Sequence, residues 1–124
     1  DAKHPVYVHI HGGSLVSGAA EVFGYKGLVR NFAEQNIIVV TLNYRLGPEG
    51  FLKVPFLTDK ERDSHERYVI NRGIEDCILA LRWVKNNIAN FGGDVNNITL
   101  GGNSAGASIV EMIALQENQS SNEQ

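Results

Sequence analysis

A single cysteine, Cys77, is the entire thiol content of this 124-residue chain, so no internal disulfide can form and the redox compartment stays open. Positive charge is not in excess either. Eleven Lys and Arg against fourteen Asp and Glu give a formal net charge of −3, which argues against a nucleic-acid partner or an anionic membrane surface. No apolar run approaches the roughly 20 residues that span a bilayer. Neither a G-x-G-x-x-G nor a P-loop lysine motif is present, which sets nucleotide binding aside. There is no internal repeat. The chain opens Asp1-Ala2-Lys3, with no methionine or signal-like segment, and reads as a processed product or a fragment, so missing targeting signals decide nothing.

What is present is ordinary in bulk and ordered in detail. Hydrophobic content of 43% with 20% charged residues fits one globular domain at most, with a modest core. "VYVHI" (Val6–Ile10), β-branched and aromatic-rich, predicts a strand that ends at His11-Gly12-Gly13. "YKGLVRNFAEQ" predicts a helix with Leu28, Val29, Phe32 and Ala33 on one face and Asn36 as a left-handed stop. The unbroken apolar run Ile37–Leu42 predicts a strand covered on both faces. Ile74, Cys77, Ile78, Leu81, Val84, Ile88 and Phe91 recur at helical spacing, predicting a long amphipathic helix ended by Gly92-Gly93. Cys77 reads as a buried small hydrophobe on that face, and Trp83, close to it, as core or helix–sheet packing. A short strand Ile98–Gly101 and a helix from Ala105 to about Gln116 complete a βαβαβα order, which favours parallel strands with right-handed crossovers. The polar end 117–124 reads as a frayed tail.

Two glycine-rich motifs sit where strands end. Gly102-Asn103-Ser104-Ala105-Gly106 matches G-x-S-x-G between a strand and a helix. Such a turn holds Ser104 up at the carboxyl end of the sheet, while the small flanking residues let neighbouring segments pass. The helix behind Ala105 directs backbone N–H groups and a positive dipole end at the same spot. The second motif, His11-Gly12-Gly13-Ser14, offers unobstructed backbone donors, which acyl transfer requires for the oxygen that becomes negative in a tetrahedral intermediate.

"HIHGGSLVSG", "VVTLNYRLG", "EGFL", "ALRWVKNNIANFGGD" and "NITLGGNSAGAS" stand in the order and approximate spacing of the type-B carboxylesterases, the cholinesterase-like branch of the α/β-hydrolases. The chain resembles that family from about Pro5 to Val110. The resemblance implies an α/β-hydrolase fold, a three-layer αβα sandwich with parallel strands, of which residues 1–124 are the N-terminal part. In it, Ile37–Leu42 and Ile98–Gly101 flank Val6–Ile10 within a larger sheet. It implies Ser104 as the nucleophile of a serine esterase acting on small-molecule carboxylic esters. It further implies an oxyanion hole from the backbone N–H groups of Gly13, Ser14 and Ala105, with neither cofactor nor metal. Arg45 and Asp76 match positions that form a structural salt bridge; if buried, removal of one partner costs on the order of 3–5 kcal/mol. Secretion or residence in the endoplasmic reticulum is suggested by the resemblance alone. Glycosylation at the Asn118 sequon would need that compartment. Oligomeric state is left open.

The same resemblance exposes what is missing. Family members are several times longer, and their triad runs Ser, then Asp or Glu, then His. The residues after Ser104, 105–124, contain no histidine. His11 precedes the oxyanion glycines and reads as structural; His4, His9 and His65 take loop or strand positions. Asp76 and Asp94 also match structural positions. The chain on its own is therefore expected to be inactive. Three departures stand out: Ser14 replaces a common Gly, Asn103 replaces a common Glu, and the charged segment Lys53–Ile70 is a longer surface loop. Losing the Glu makes a cationic, choline-like substrate a poorer fit. The alternative is a non-catalytic cholinesterase-like interaction module, in which the nucleophile is commonly lost.

Overall fold

The structure is a computed structural model that describes residues 3–52 and 71–122; the segment Lys53–Ile70, with His65, lies outside the described residues. Strand β1 (His4–Ile10) leads through a 3₁₀ turn at Ala20–Phe23 into helix α1 (Tyr25–Asn31). A second 3₁₀ turn precedes β2 (Ile38–Leu42) and the short helix α2 (Gly47–Phe51). After the undescribed segment come α3 (Arg72–Asn87), β3 (Gly93–Gly102) and α4 (Ala105–Asn122). The strands form one parallel sheet in the order β2-β1-β3, as the resemblance implied.

β1 lies at the centre, and its alternation decides the layers. Val6, Val8 and Ile10 are buried on one face, in a core shared with Cys77, Val84 and Ile88 at and beyond α3 and with Ile109 and Ile113 of α4. The intervening side chains face the other way. Tyr7 stacks on Phe32 with centroids 5.2 Å apart, and the His9 ring meets the edge of Phe23 at 4.8 Å. Helical segments therefore cover both faces, which is the expected three-layer arrangement.

The regular β1–β3 register runs from Val6↔Ile98 to Ile10↔Gly102. Upstream, His4 pairs with Gly93, so 94–97 bulge out opposite Pro5, the residue with no N–H to offer a ladder. This register aligns the ends of β1 and β3, and places the two glycine-rich motifs side by side.

Both predicted helix stops are left-handed residues, but each closes a 3₁₀ turn (Ala33–Gln35 and Ile88–Phe91), and the α-helices themselves end earlier, at Asn31 and Asn87. Asn36 has φ 59° and ψ 31°, and Gly92 has φ 82° with its N–H turned back to the Ala89 and Ile88 carbonyls. Other expectations need correction. α1 ends at Asn31, and its apolar face is only partly covered, with Val29 and Ala33 exposed. β2 is an edge strand, half-buried at Ile38–Thr41 and fully buried only at Leu42. Trp83 is 52% exposed and Phe91 63% exposed; they lean on each other, 6.2 Å between centroids, outside the core. Trp83 precedes the buried Val84 by one residue, about 100° around the helix, which turns it away from the core-facing side. α2 was not anticipated; Pro48 in its first turn fits a helix start. α4 continues through Asn122, beyond the expected end near Gln116.

Candidate active site

β3 stops at Gly102 and α4 starts at Ala105, so the chain reverses over two residues. Ser104 takes the turn with φ 53°, a left-handed conformation that L-residues with a Cβ adopt only at a cost of about 1–3 kcal/mol. The surrounding bonds hold it there. Gly106 N–H donates to Asn103 O at 2.9 Å, and Ala107 and Ser108 N–H donate to Ser104 O at 2.9 and 3.2 Å. The flanking glycines are sterically required: a Cβ at Gly102 would sit 2.6 Å from the Gly106 carbonyl carbon, and one at Gly106 would lie 2.7 Å from His11 O. The Ser104 side chain is exposed, and its hydroxyl has no partner among the described residues.

The loop after β1 passes directly against this elbow. A Cβ on Gly12 would lie 2.9 Å from Ser104 Cβ and 2.7 Å from Asn103 O. Gly12 N–H donates to Asn103 Oδ1 at 3.2 Å, joining the two motifs by a hydrogen bond. Three successive residues, Gly13, Ser14 and Leu15, then take positive φ of 122°, 55° and 65°. The curl brings the N–H groups of Val16 and Ser17 back to Gly13 O, each at 3.0 Å. The N–H groups of Gly13, Ser14 and Ala105 find no acceptor among the described residues. Ser14 and Ala105 line one cavity of about 420 Å³ together with Ser108, and Leu15, Phe51, Ile74, Ile109 and Met112 give it an apolar wall. Two of the three donor residues, Ser14 and Ala105, thus line the apolar recess, and Ser104 and Gly13 are their chain neighbours.

Among the described residues, no proton acceptor of the usual kind stands beside Ser104. His11 is 2% exposed, stacked on Tyr44 at 4.5 Å between centroids, with Nδ1 at 2.8 Å from Gly12 O and Nε2 buried without a partner. His9 Nδ1 pairs with the Tyr7 hydroxyl at 3.0 Å. Asp76 is engaged by Arg45, whose hydrogen bonds hold its carboxyl below the usual range against the opposing effect of burial. Asp94 Oδ1 accepts from Asn96 N–H at 2.9 Å. Burial pushes the Tyr44 phenol up, with Cys77 adding to the rise, and the Tyr44 hydroxyl donates to His11 O at 2.8 Å. No group of three or more His, Cys, Asp or Glu that could hold a metal ion occurs among the described residues. Two features escaped the sequence reading, the Asn103 tether and the Tyr44 anchor; both are side chain-to-backbone bonds between segments distant in sequence, for which periodicity carries no signal.

Comparison with known proteins agrees with this layout. The model of the Carboxylesterase family matches residues 1–123. Liver carboxylesterase 1 of Oryctolagus cuniculus is 45% identical over 111 residues, covering 90% of this chain and 18% of that protein. Para-nitrobenzyl esterase of Bacillus subtilis is 45% identical over 112 residues, 90% of this chain and 21% of that one. Neuroligin-2 of Mus musculus is 44% identical over 113 residues, 91% of this chain and 12% of that one. Among solved structures, a thermophilic PNB esterase superposes with a TM-score of 0.72 at 40% identity, over 88% of this chain and 21% of its own. The chain spans about a fifth or less of the length of these relatives. Sequence and superposition agree over nearly the whole length: the chain belongs to the carboxylesterase family, on the α/β-hydrolase fold.

Proposed function

We propose that this chain is the N-terminal part of a serine carboxylesterase domain and supplies its nucleophile and oxyanion hole. The observation that carries the reading is the placement of the left-handed Ser104 against a loop whose Gly13 and Ser14 N–H groups, like that of Ala105, are without acceptors. Ser104 Oγ attacks the carbonyl carbon of a small carboxylic ester, and the carbonyl electron pair moves onto oxygen. The N–H groups of Gly13, Ser14 and Ala105 stabilise that oxyanion; one such donor is worth about 10²–10³ in kcat. Collapse expels the alcohol and leaves an acyl-enzyme on Ser104, which water then hydrolyses. The proton leaves Oγ and returns to the alcohol through a histidine oriented by an acid; the order Ser, acid, His expects both after Ser104, and residues 105–124 contain no histidine. The chain alone is accordingly inactive. Asn103 beside the nucleophile is neutral and bonded to Gly12, which suits uncharged esters over cationic ones.

The match to Neuroligin-2, whose name is not that of an esterase, supports a second reading, a non-catalytic interaction module on the same fold. The presence of Ser104 supports the first. A fluorophosphonate probe on the full-length protein, followed by peptide mapping, separates them. Covalent label on Ser104 with turnover of an aryl ester is expected, together with no turnover by the 124-residue chain. Label elsewhere, or none, overturns the esterase reading, and robust turnover by the short chain overturns its dependence on outside residues.

A further inference from the structure

A peptide unit is planar and trans, so its N–H and its C=O point in opposite directions. Whatever grips the carbonyl therefore aims the N–H of the next residue. The Ser14 N–H shares a plane with Gly13 O, which is held three times, by Val16 N–H and Ser17 N–H at 3.0 Å and by the Ser17 hydroxyl at 3.2 Å. The Gly13 N–H shares a plane with Gly12 O. Among the described residues that carbonyl has one partner, the His11 ring, with Nδ1 at 2.8 Å.

The plane so held lies between two glycines, the step with the least intrinsic resistance to rotation. A carbonyl can only accept, so His11 carries a proton on Nδ1, while Nε2 is buried without a partner. The ring has little room to leave. Tyr44 stacks on it, and Gly18 packs so close that a Cβ there would lie 2.6 Å from Nδ1. The preceding plane is gripped at both ends, since the Tyr44 hydroxyl donates to His11 O at 2.8 Å and Gly12 N–H donates to Asn103 Oδ1 at 3.2 Å.

We propose that His11, held by Tyr44, is the positioning residue of the oxyanion hole: its Nδ1–H fixes the Gly12–Gly13 peptide plane and so directs the Gly13 N–H. The inference rests on the serine esterase reading. It gives His11 a task distinct from a triad base, because the ring acts through a backbone carbonyl and never touches substrate.

The test compares His11→Leu and His11→Asn in the full-length protein with an aryl ester. A misaimed donor is missed only in the transition state, so kcat falls while KM holds. His11→Leu is expected to lower kcat about 100-fold with KM within about threefold. His11→Asn, whose amide N–H can reach the same carbonyl, is expected to recover about tenfold or more of that loss. Should His11→Leu fail to fold, Tyr44→Phe decides; it keeps the stacked ring, drops the bond to His11 O and is expected to lose about 2- to 10-fold in kcat at unchanged KM. A wild-type protein that neither labels at Ser104 nor turns over overturns the esterase reading and this inference with it. An active, labelled wild type overturns this inference alone if His11→Leu keeps full kcat, if Asn is as slow as Leu, or if Tyr44→Phe is without effect.

Discussion

Arg45 and Asp76 are joined by three hydrogen bonds: Asp76 Oδ2 accepts from the Arg45 backbone N–H at 3.0 Å and from Nε–H at 2.8 Å, and Oδ1 accepts from Nη2–H at 2.7 Å. The pair ties the exit of β2 to the first turns of α3, as the resemblance implied. Its setting differs from a buried bridge, because the Arg45 side chain is 49% exposed and that of Asp76 25%. The 3–5 kcal/mol scale of a fully desolvated pair therefore does not apply here.

The pair has a pH signature with a definite sign. Arg45 lowers the Asp76 pKa, mainly through the side-chain hydrogen bonds and against burial. A depressed carboxyl contributes stability above its unfolded pKa of about 3.9 and loses that contribution as pH falls through the folded value. Asp76→Asn in the full-length protein should therefore unfold at lower temperature than wild type near neutrality, with the gap closing below about pH 4. The exposed control Glu75→Gln should show no such gap. Thermal unfolding across pH 2.5–7 would check this, and a gap that is the same at every pH would refute it.

Cys77 yields a chemical prediction. It is fully buried in the core, and burial, with Asp76 nearby, pushes its thiol up to about 12. The thiolate is the reactive form, so the folded protein should leave Cys77 unmodified by a disulfide reagent at pH 8 and release it on denaturation. Modification on mixing, without denaturant, would mean that α3 does not seal the core. Because the folded pKa lies above the unfolded one, this group's contribution is complete below about pH 8.5 and is lost as pH rises toward 12.

Ser104 should trade stability for its position. Glycine adopts φ near 53° without the Cβ penalty, so Ser104→Gly relieves strain of about 1 kcal/mol or more. The variant should melt a few degrees higher, roughly 2–4 °C for a domain of 150–250 residues and less for a larger one, while hydrolysis and probe labelling vanish. A lower melting temperature would show that the hydroxyl contributes more to the fold than the turn costs.

How far the sequence could be read depended on whether a feature was local. The β1 alternation, the left-handed residues Asn36 and Gly92, and the elbow around Ser104 each depend on a few adjacent residues, and each was legible. Trp83 and Phe91 were misjudged because periodicity shows that a face is apolar without showing whether anything covers it. The β2 run looked doubly covered for the same reason. The Gly12–Asn103 bond spans 91 positions, and only the β1–β3 register brings its ends together.

The uncovered surfaces lead to a prediction about the 124-residue chain in isolation. Among the described residues β2 and β3 each pair on one side only, with β1, so both present a row of backbone groups without strand partners there. On β2 that edge carries Ile38, Val39, Val40 and Thr41, half-buried at best and without a charge, bulge or proline of the kind that blunts natural edges. Apolar side chains add to the exposure: Leu79, Trp83 and Phe91 on and after α3, and Met112 and Leu115 on α4, are all more than half exposed. Against this stands a small core, in a size range where even a complete domain has only about 0.05–0.15 kcal/mol per residue of net stability. Pairing of β2 edges between copies would bury both the backbone groups and the apolar row at once. The isolated chain is therefore expected to sediment as dimers and larger species, to bind a hydrophobic dye, and to melt over a broad range. Val39→Lys should shift it toward monomer by placing charge on the edge. A wild-type chain that sediments as a monomer and unfolds in one sharp, cooperative transition would show that three strands and their helices make a self-sufficient unit.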